Sequence, residues 1–178
     1  MRKFIIHRDI KPENLLIGCN GYLLITDFNL STPHTGHANG ICGTPFYMAP
    51  ELLLGETYGH SIDVWSFGVI LYEIMYGKSL FENCGISDYF DKVKSIDEIS
   101  LENHHCTPAR MVVGGFLMKN PVYRLGCGET GMNGVKICMG KDIDWEKYKG
   151  GESSFIKLIQ NICHVNEEKS FNFTFEHL

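Results

Sequence analysis

A chain of 178 residues is one domain of ordinary size or a piece of something larger, and its 44% hydrophobic content excludes a disordered polymer. A net charge of -5 supplies no electrostatic case for nucleic acid or an anionic membrane surface. No apolar run approaches the roughly 18 residues needed to span a bilayer, and the start, Met1-Arg2-Lys3-Phe4-Ile5-Ile6, is too short in apolar residues for a signal peptide.

Along the chain, residues 15 to 17 and 22 to 26 are short apolar runs on either side of Gly18-Cys19-Asn20-Gly21. Asn-Gly between two such runs predicts a hairpin, because both residues tolerate positive φ. The stretch 31 to 46 is rich in Ser, Thr, Pro, His and Gly, has no hydrophobic period and reads as a long surface loop. Residues 61 to 76, SIDVWSFGVILYEIMY, are apolar almost all round, which predicts a buried helix with Ser61 and Asp63 available to cap its start. Residues 107 to 119 predict a second, amphipathic helix, ended by Asn120-Pro121. Beyond Gly126 the pattern weakens into glycine-rich loop, with two further helical stretches around 144 to 149 and 153 to 163. The content is mostly helical with one hairpin near the start, without internal repeats.

Seven cysteines (19, 42, 84, 106, 127, 138, 163) stand singly with no C-x-x-C pair. That spacing suits reduced thiols in a cytosolic protein, so a cytoplasmic, intracellular location is expected. His104-His105-Cys106 is at most half a metal site, and no second half follows at ligand spacing.

The most informative stretch is His7-Arg8-Asp9-Ile10-Lys11-Pro12-Glu13-Asn14, which has the H-R-D-x-K-x-x-N form and precedes a hairpin leading to Asp27-Phe28-Asn29. It resembles the catalytic loop of the eukaryotic protein kinases. Later motifs extend the resemblance: Gly43-Thr44-Pro45-Phe46-Tyr47-Met48-Ala49-Pro50-Glu51 is similar to the end of their activation segment. Asp63-Val64-Trp65-Ser66-Phe67-Gly68 is similar to their buried central helix, and Asn120-Pro121-Val122-Tyr123-Arg124-Leu125-Gly126 to a late structural arginine. Four motifs in the right order are far more specific than any one.

The resemblance implies ATP- and magnesium-dependent phosphoryl transfer to protein hydroxyls, which demands positioning and charge neutralisation rather than covalent work. By the same resemblance Asp9 orients the substrate hydroxyl and accepts its proton. Lys11 places a cation near the transferred group, and a lysine there is typical of serine/threonine kinases. Asn14 and Asp27 supply hard oxygen ligands for magnesium. His7 and Arg8 are implied to be structural, His7 packed in an internal spine. Asp63 is implied to hold the catalytic-loop backbone, and Glu51 and Arg124 to form a buried ion pair. Glu13, Thr44 and Glu73 match substrate-facing positions. The two acids are either receptors for an arginine upstream of the target hydroxyl or ordinary surface acids. Phe46 stands where some relatives in the cyclic-nucleotide-dependent kinase group have a third acid. Gly126-Cys127-Gly128-Glu129-Thr130-Gly131 is a formal G-x-G-x-x-G, but it follows a helix and the catalytic loop, so it reads as loop rather than as a nucleotide lid.

The departures are equally specific. With the catalytic loop opening at residue 7, no glycine-rich lid or V-A-I-K lysine is expected before it. The expected fold is mainly α: a kinase C-terminal lobe with a small β-hairpin beside the catalytic loop. Residues 1 to 145 are assigned to that lobe, and 146 to 178 to a C-terminal extension. Asn29 replaces the usual glycine; a small kinase group nicknamed YANK also reads D-F-N. Gly40 stands in place of the usual activation-loop threonine, Cys138-Met139-Gly140 replaces an H-P-F-F box, and Phe171-Asn172-Phe173-Thr174-Phe175 is one residue short of a hydrophobic tail motif. The alternative to an enzyme is a non-catalytic module that docks substrates or regulators, and these residues alone are expected to bind ATP poorly.

Overall fold

The computed structural model describes residues 4–19, 22–34, 37–95, 99, 101, 107–129, 131–140, 143 and 145. In chain order the elements are β1 (Ile5–Ile6), β2 (Leu15–Ile17), β3 (Leu23–Ile25), β4 (Thr32–Pro33), α1 (Pro50–Leu53), α2 (Ser61–Tyr76), α3 (Ile86–Ser95), α4 (Thr107–Phe116) and α5 (Gly131–Met139). One-turn 3-10 helices at Pro12–Asn14 and Phe28–Leu30 flank the hairpin.

Helix α2 is the axis of the fold and covers the predicted span. None of its residues is exposed, as its all-round apolar surface requires. Trp65 and Val69 are fully buried among Leu52, Tyr89, Val93 and Val113. Helix α4 crosses α2 closely: a Cβ on Gly68 would sit 2.8 Å from the Phe116 Cβ, so glycine is what lets the two helices approach. Helix α5 buries Val135 against Val112 and Phe116 of α4, in a cluster that Val64 and Phe67 of α2 also join.

Strands β2 and β3 form the expected antiparallel hairpin, with Leu15 opposite Ile25 and Ile17 opposite Leu23. Asn20 and Gly21, on which that expectation rested, lie outside the described residues, as do His104-His105-Cys106, the helical stretches near 144 to 149 (residue 145 apart) and 153 to 163, and Phe171 to Phe175.

Several expectations need correction. The stretch 31 to 46 is not loop throughout: β4 pairs antiparallel with β1, Ile6 opposite Thr32, and Ala38 bridges Tyr58. Such short pairings carry no period and are invisible to pattern. The region beyond Gly126 is not only loop, because it contains α5. Helix α4 stops at Phe116, before the expected 119, and the Met118 and Lys119 carbonyls are taken by the Arg124 guanidinium at 3.0 Å each. Neither Ser61 nor Asp63 caps α2; His60 occupies the N-cap without a side-chain bond. Both polar side chains answer distant groups instead, Ser61 Oγ donating to Glu51 and Asp63 accepting from the backbone of residues 7 and 8.

Among the described residues, Cys19, Cys42, Cys84, Cys127 and Cys138 are free thiols, and no helix is long and apolar enough to cross a membrane.

Candidate active site

The loop between β1 and the hairpin is held from beneath by α2. Both Asp63 carboxylate oxygens accept main-chain bonds, from His7 N at 2.7 Å and Arg8 N at 2.9 Å. Burial pushes the Asp63 carboxyl up from its ordinary value, and these two amide bonds oppose the shift. His7 is buried; its Nε2 lies 2.9 Å from Thr26 O, while Asp9 N donates to its Nδ1 at 3.3 Å. With Nδ1 accepting, this network assigns the ring proton to Nε2. Phe28 meets the ring edge-on at 4.8 Å. Arg8 turns the chain at a left-handed φ of 70°, and Gly43 passes so close that a Cβ there would lie 2.5 Å from Arg8 O. At a φ of +108°, only glycine fits both the angle and the space.

Above this platform Asp9, Lys11, Asn14 and Thr44 converge. Lys11 Nζ donates to Thr44 Oγ1 at 2.8 Å, Thr44 Oγ1 donates to Asp9 Oδ1 at 2.7 Å, and Lys11 Nζ lies 3.2 Å from Asp9 Oδ2. Asn14 is buried, and its Nδ2 donates to Asp9 O at 2.9 Å and Asp9 Oδ2 at 3.3 Å. Burial alone would raise the Asp9 carboxyl, but the bonds from Thr44 and Lys11 and the Lys11 charge outweigh it and leave the group below its usual value. Asp9 is therefore an ionised carboxylate at neutral pH, with a cation and a hydroxyl fixed beside it.

Thr26 N donates to Asn14 O at 2.9 Å, which anchors the chain one residue before Asp27. Asp27 adopts the left-handed region, φ 62° and ψ 72°, is exposed, and accepts a long bond from Asn29 N at 3.4 Å. Positive φ falls on Asp27 and not on Asn29, so asparagine in place of glycine costs no backbone strain here. With Asn14 Nδ2 committed to Asp9, Asn14 Oδ1 and the Asp27 carboxylate are the atoms of this pair suited to a hard cation, and all are oxygen, as magnesium prefers.

Glu13 is exposed on the Pro12–Asn14 turn, and Glu73 lies on α2 with its Oε2 accepting the Tyr47 hydroxyl at 3.1 Å. Burial raises the Glu73 carboxyl, and the negative charge of Glu13 raises it further against the Tyr47 and Ser79 bonds. Burial also raises the Tyr47 phenol, helped by both acids. The two carboxylates thus share one electrostatic neighbourhood. Phe46, at a left-handed φ of 74°, turns its ring onto Tyr89 at 5.1 Å.

At the start of α1, Glu51 forms a two-pronged pair with Arg124 at 2.6 and 2.9 Å, with 2% and 0% side-chain exposure. Ser61 Oγ donates to the same carboxylate at 3.0 Å, and Trp65 lies under the guanidinium at 5.2 Å.

A profile of the protein kinase domain matches residues 1–175. The chain belongs to the protein kinase family. It is 36% identical over 153 residues to protein kinase C zeta type of Oryctolagus cuniculus, covering 80% of this chain and 26% of that protein. Similarity to atypical protein kinase C of Drosophila melanogaster is 38% over 157 residues (81% and 26%), and to serine/threonine-protein kinase AtPK1/AtPK6 of Arabidopsis thaliana 36% over 153 (84% and 32%). The chain spans about a quarter to a third of the length of the curated relatives it matches.

Within this kinase chain, sequence reasoning missed four residues that shape the site. Thr26 orients His7 and anchors Asn14, Tyr47 meets Glu73, Tyr89 donates to Met48 O at 2.7 Å, and Tyr58 meets Arg8. Each acts on a partner 12 to 50 residues away, and no local spacing announces such pairs.

Proposed function

We propose that these residues are the transfer half of a serine/threonine protein kinase, corresponding to the C-terminal lobe, in a protein that moves the γ-phosphoryl group of ATP to protein hydroxyls. The observation that carries this reading is the closed arrangement of Asp9, Lys11 and Thr44, with Asn14 clamped onto Asp9. An ionised Asp9 is suited to orient an arriving serine or threonine hydroxyl and to receive its proton. Lys11 holds a positive charge where negative charge spreads in the transition state, without reorganising at the moment of reaction. Asn14 Oδ1 and Asp27 would hold magnesium, which when bound neutralises charge on the phosphate oxygens. A pure docking module needs none of these four side chains.

The apolar surface of the hairpin and of the turn after it supports the same reading. Leu16, Ile17, Leu24, Ile25 and Phe28 are each about half exposed, between 46% and 56%. Such an apolar patch calls for a cover. In a kinase that cover is ATP and the N-terminal lobe with its glycine-rich lid and lysine. The D-F-N sequence favours a place in the YANK group, and the single free thiols suit the reducing cytoplasm.

Glu13 and Glu73 favour a substrate with basic residues upstream of the target hydroxyl. Glu73, whose carboxyl burial and the neighbouring Glu13 charge hold above its ordinary value, is relieved by a guest cation. The test is a transfer assay with magnesium and labelled ATP, using the full-length protein and peptides that differ in acceptor (Ser or Tyr) and in upstream arginines. Transfer to the arginine-bearing serine peptide is expected. Absence of transfer to any peptide, or a preference for tyrosine, would overturn the reading.

A further inference from the structure

Residues 37 to 47 carry Thr44 and Tyr47 toward the site, so whatever fixes this segment decides whether the site is assembled. Kinase activation segments are often ordered by phosphorylation, through new bonds from arginine to phosphate. Gly40 offers no hydroxyl for that chemistry. A different tie is present. Arg8 Nε donates to Leu30 O at 2.6 Å, and Arg8 Nη1 donates to the Tyr58 hydroxyl at 3.3 Å. That hydroxyl donates in turn to Gly40 O at 2.7 Å, with Asn39 O at 3.1 Å. The main chains of Tyr58 and Ala38 also exchange bonds in both directions, at 2.9 and 3.1 Å. The Tyr58 ring is 3% exposed, so its hydroxyl is a point fixed by the core.

We propose that Tyr58 is a positioning residue that holds the activation segment against Arg8 in place of a phosphate, so that the segment is set by the fold rather than by phosphorylation. The donor and acceptor inventory favours a phenol in this role. A hydroxyl accepts from the arginine while donating to a carbonyl, whereas a phosphate dianion would face the Gly40 and Asn39 carbonyls with acceptors only. Each bond in the chain from guanidinium to hydroxyl to carbonyl polarises the next. The consequence for regulation rests on the kinase reading, but the tie itself does not.

Hydrogen exchange on the phosphatase-treated chain, shown by mass to carry no phosphate, tests it independently of activity. The paired Ala38 and Tyr58 amides should be protected in this phosphate-free protein. Tyr58→Phe, which removes only the hydroxyl, should raise their exchange about tenfold while Val69 in α2 is unchanged. Arg8→Met reaches the same chain of bonds from outside the core and should raise it less. The double variant should rise no further than Tyr58→Phe alone, because the two residues act through one route. A parallel rise at Val69 would mean global loosening, and Arg8→Met then carries the comparison. Unprotected Ala38 and Tyr58 amides in the wild type, a change below twofold in both single variants, or a double effect equal to the product of the singles would overturn the proposal.

Discussion

Replacing Arg124 with methionine keeps most of the side-chain bulk and removes a cation whose five donors are all used. They serve Glu51 twice and the carbonyls of Ser61, Met118 and Lys119 once each. Glu51, 2% exposed, would keep only the Ser61 hydroxyl bond. Stranding one member of a buried pair costs about 3–5 kcal/mol, a large share of the roughly 5–15 kcal/mol that holds an ordinary domain together. At about 2–4 °C per kcal/mol for a chain of this size, the melting midpoint should fall by roughly 10 °C. Adding Glu51→Gln removes the stranded charge, so the double variant should melt above Arg124→Met, while still below wild type because three carbonyls have lost their donor. Thermal denaturation followed by circular dichroism checks both. An Arg124→Met midpoint within about 3 °C of wild type, or a double variant less stable than the single, would refute the reasoning.

Gly43→Ala forces a Cβ to within 2.5 Å of Arg8 O at a φ of +108°, and should cost at least about 2 kcal/mol in urea unfolding; an unchanged midpoint would contradict the packing described. Glu73 has a raised carboxyl in the folded chain, so the folded state holds its proton more tightly than the unfolded one. Its contribution is therefore fullest below the ordinary carboxylate value and declines as pH climbs above it, so wild type should lose stability relative to Glu73→Gln as pH rises from the ordinary carboxylate value through the raised one. Parallel pH profiles for the two proteins would count against the shared acidic neighbourhood. The 178-residue polypeptide, with the hairpin face uncovered, should bind magnesium-ATP too weakly for calorimetry, and micromolar affinity would contradict the need for a lid and lysine.

The parts of the fold legible in the sequence are those where one local rule decides. The all-round apolar run of α2 and the alternating punctuation of the hairpin are of this kind, and so are the motif residues whose spacing is set by chemistry. Elements held by distant partners were not legible. Strand β4 has two residues and exists because β1 is beside it. Helix α5 contains Gly131 and Gly134, poor helix formers, and is stabilised by Val135 packing on α4. Helix α3 buries Tyr89 and Val93, one turn apart, too few positions to stand out in a window of mixed charge. The site divides in the same way. Asp9, Lys11 and Asn14 lie within one motif, whereas Thr44 joins them from 33 residues away and Asp63 reaches His7 across 56. Asp63 is the instructive case: it stands in the first turn of α2, where capping rules favour aspartate, yet its two oxygens are taken by the catalytic-loop backbone.

The central claim is that Asp9 is the group on which phosphoryl transfer turns. The most direct measurement compares transfer to a basic serine peptide by the full-length protein and its Asp9→Ala variant, with melting curves recorded for both. A loss of about 10²–10⁴-fold in turnover at an unchanged midpoint is predicted. Turnover by the variant within about twofold of wild type would contradict it.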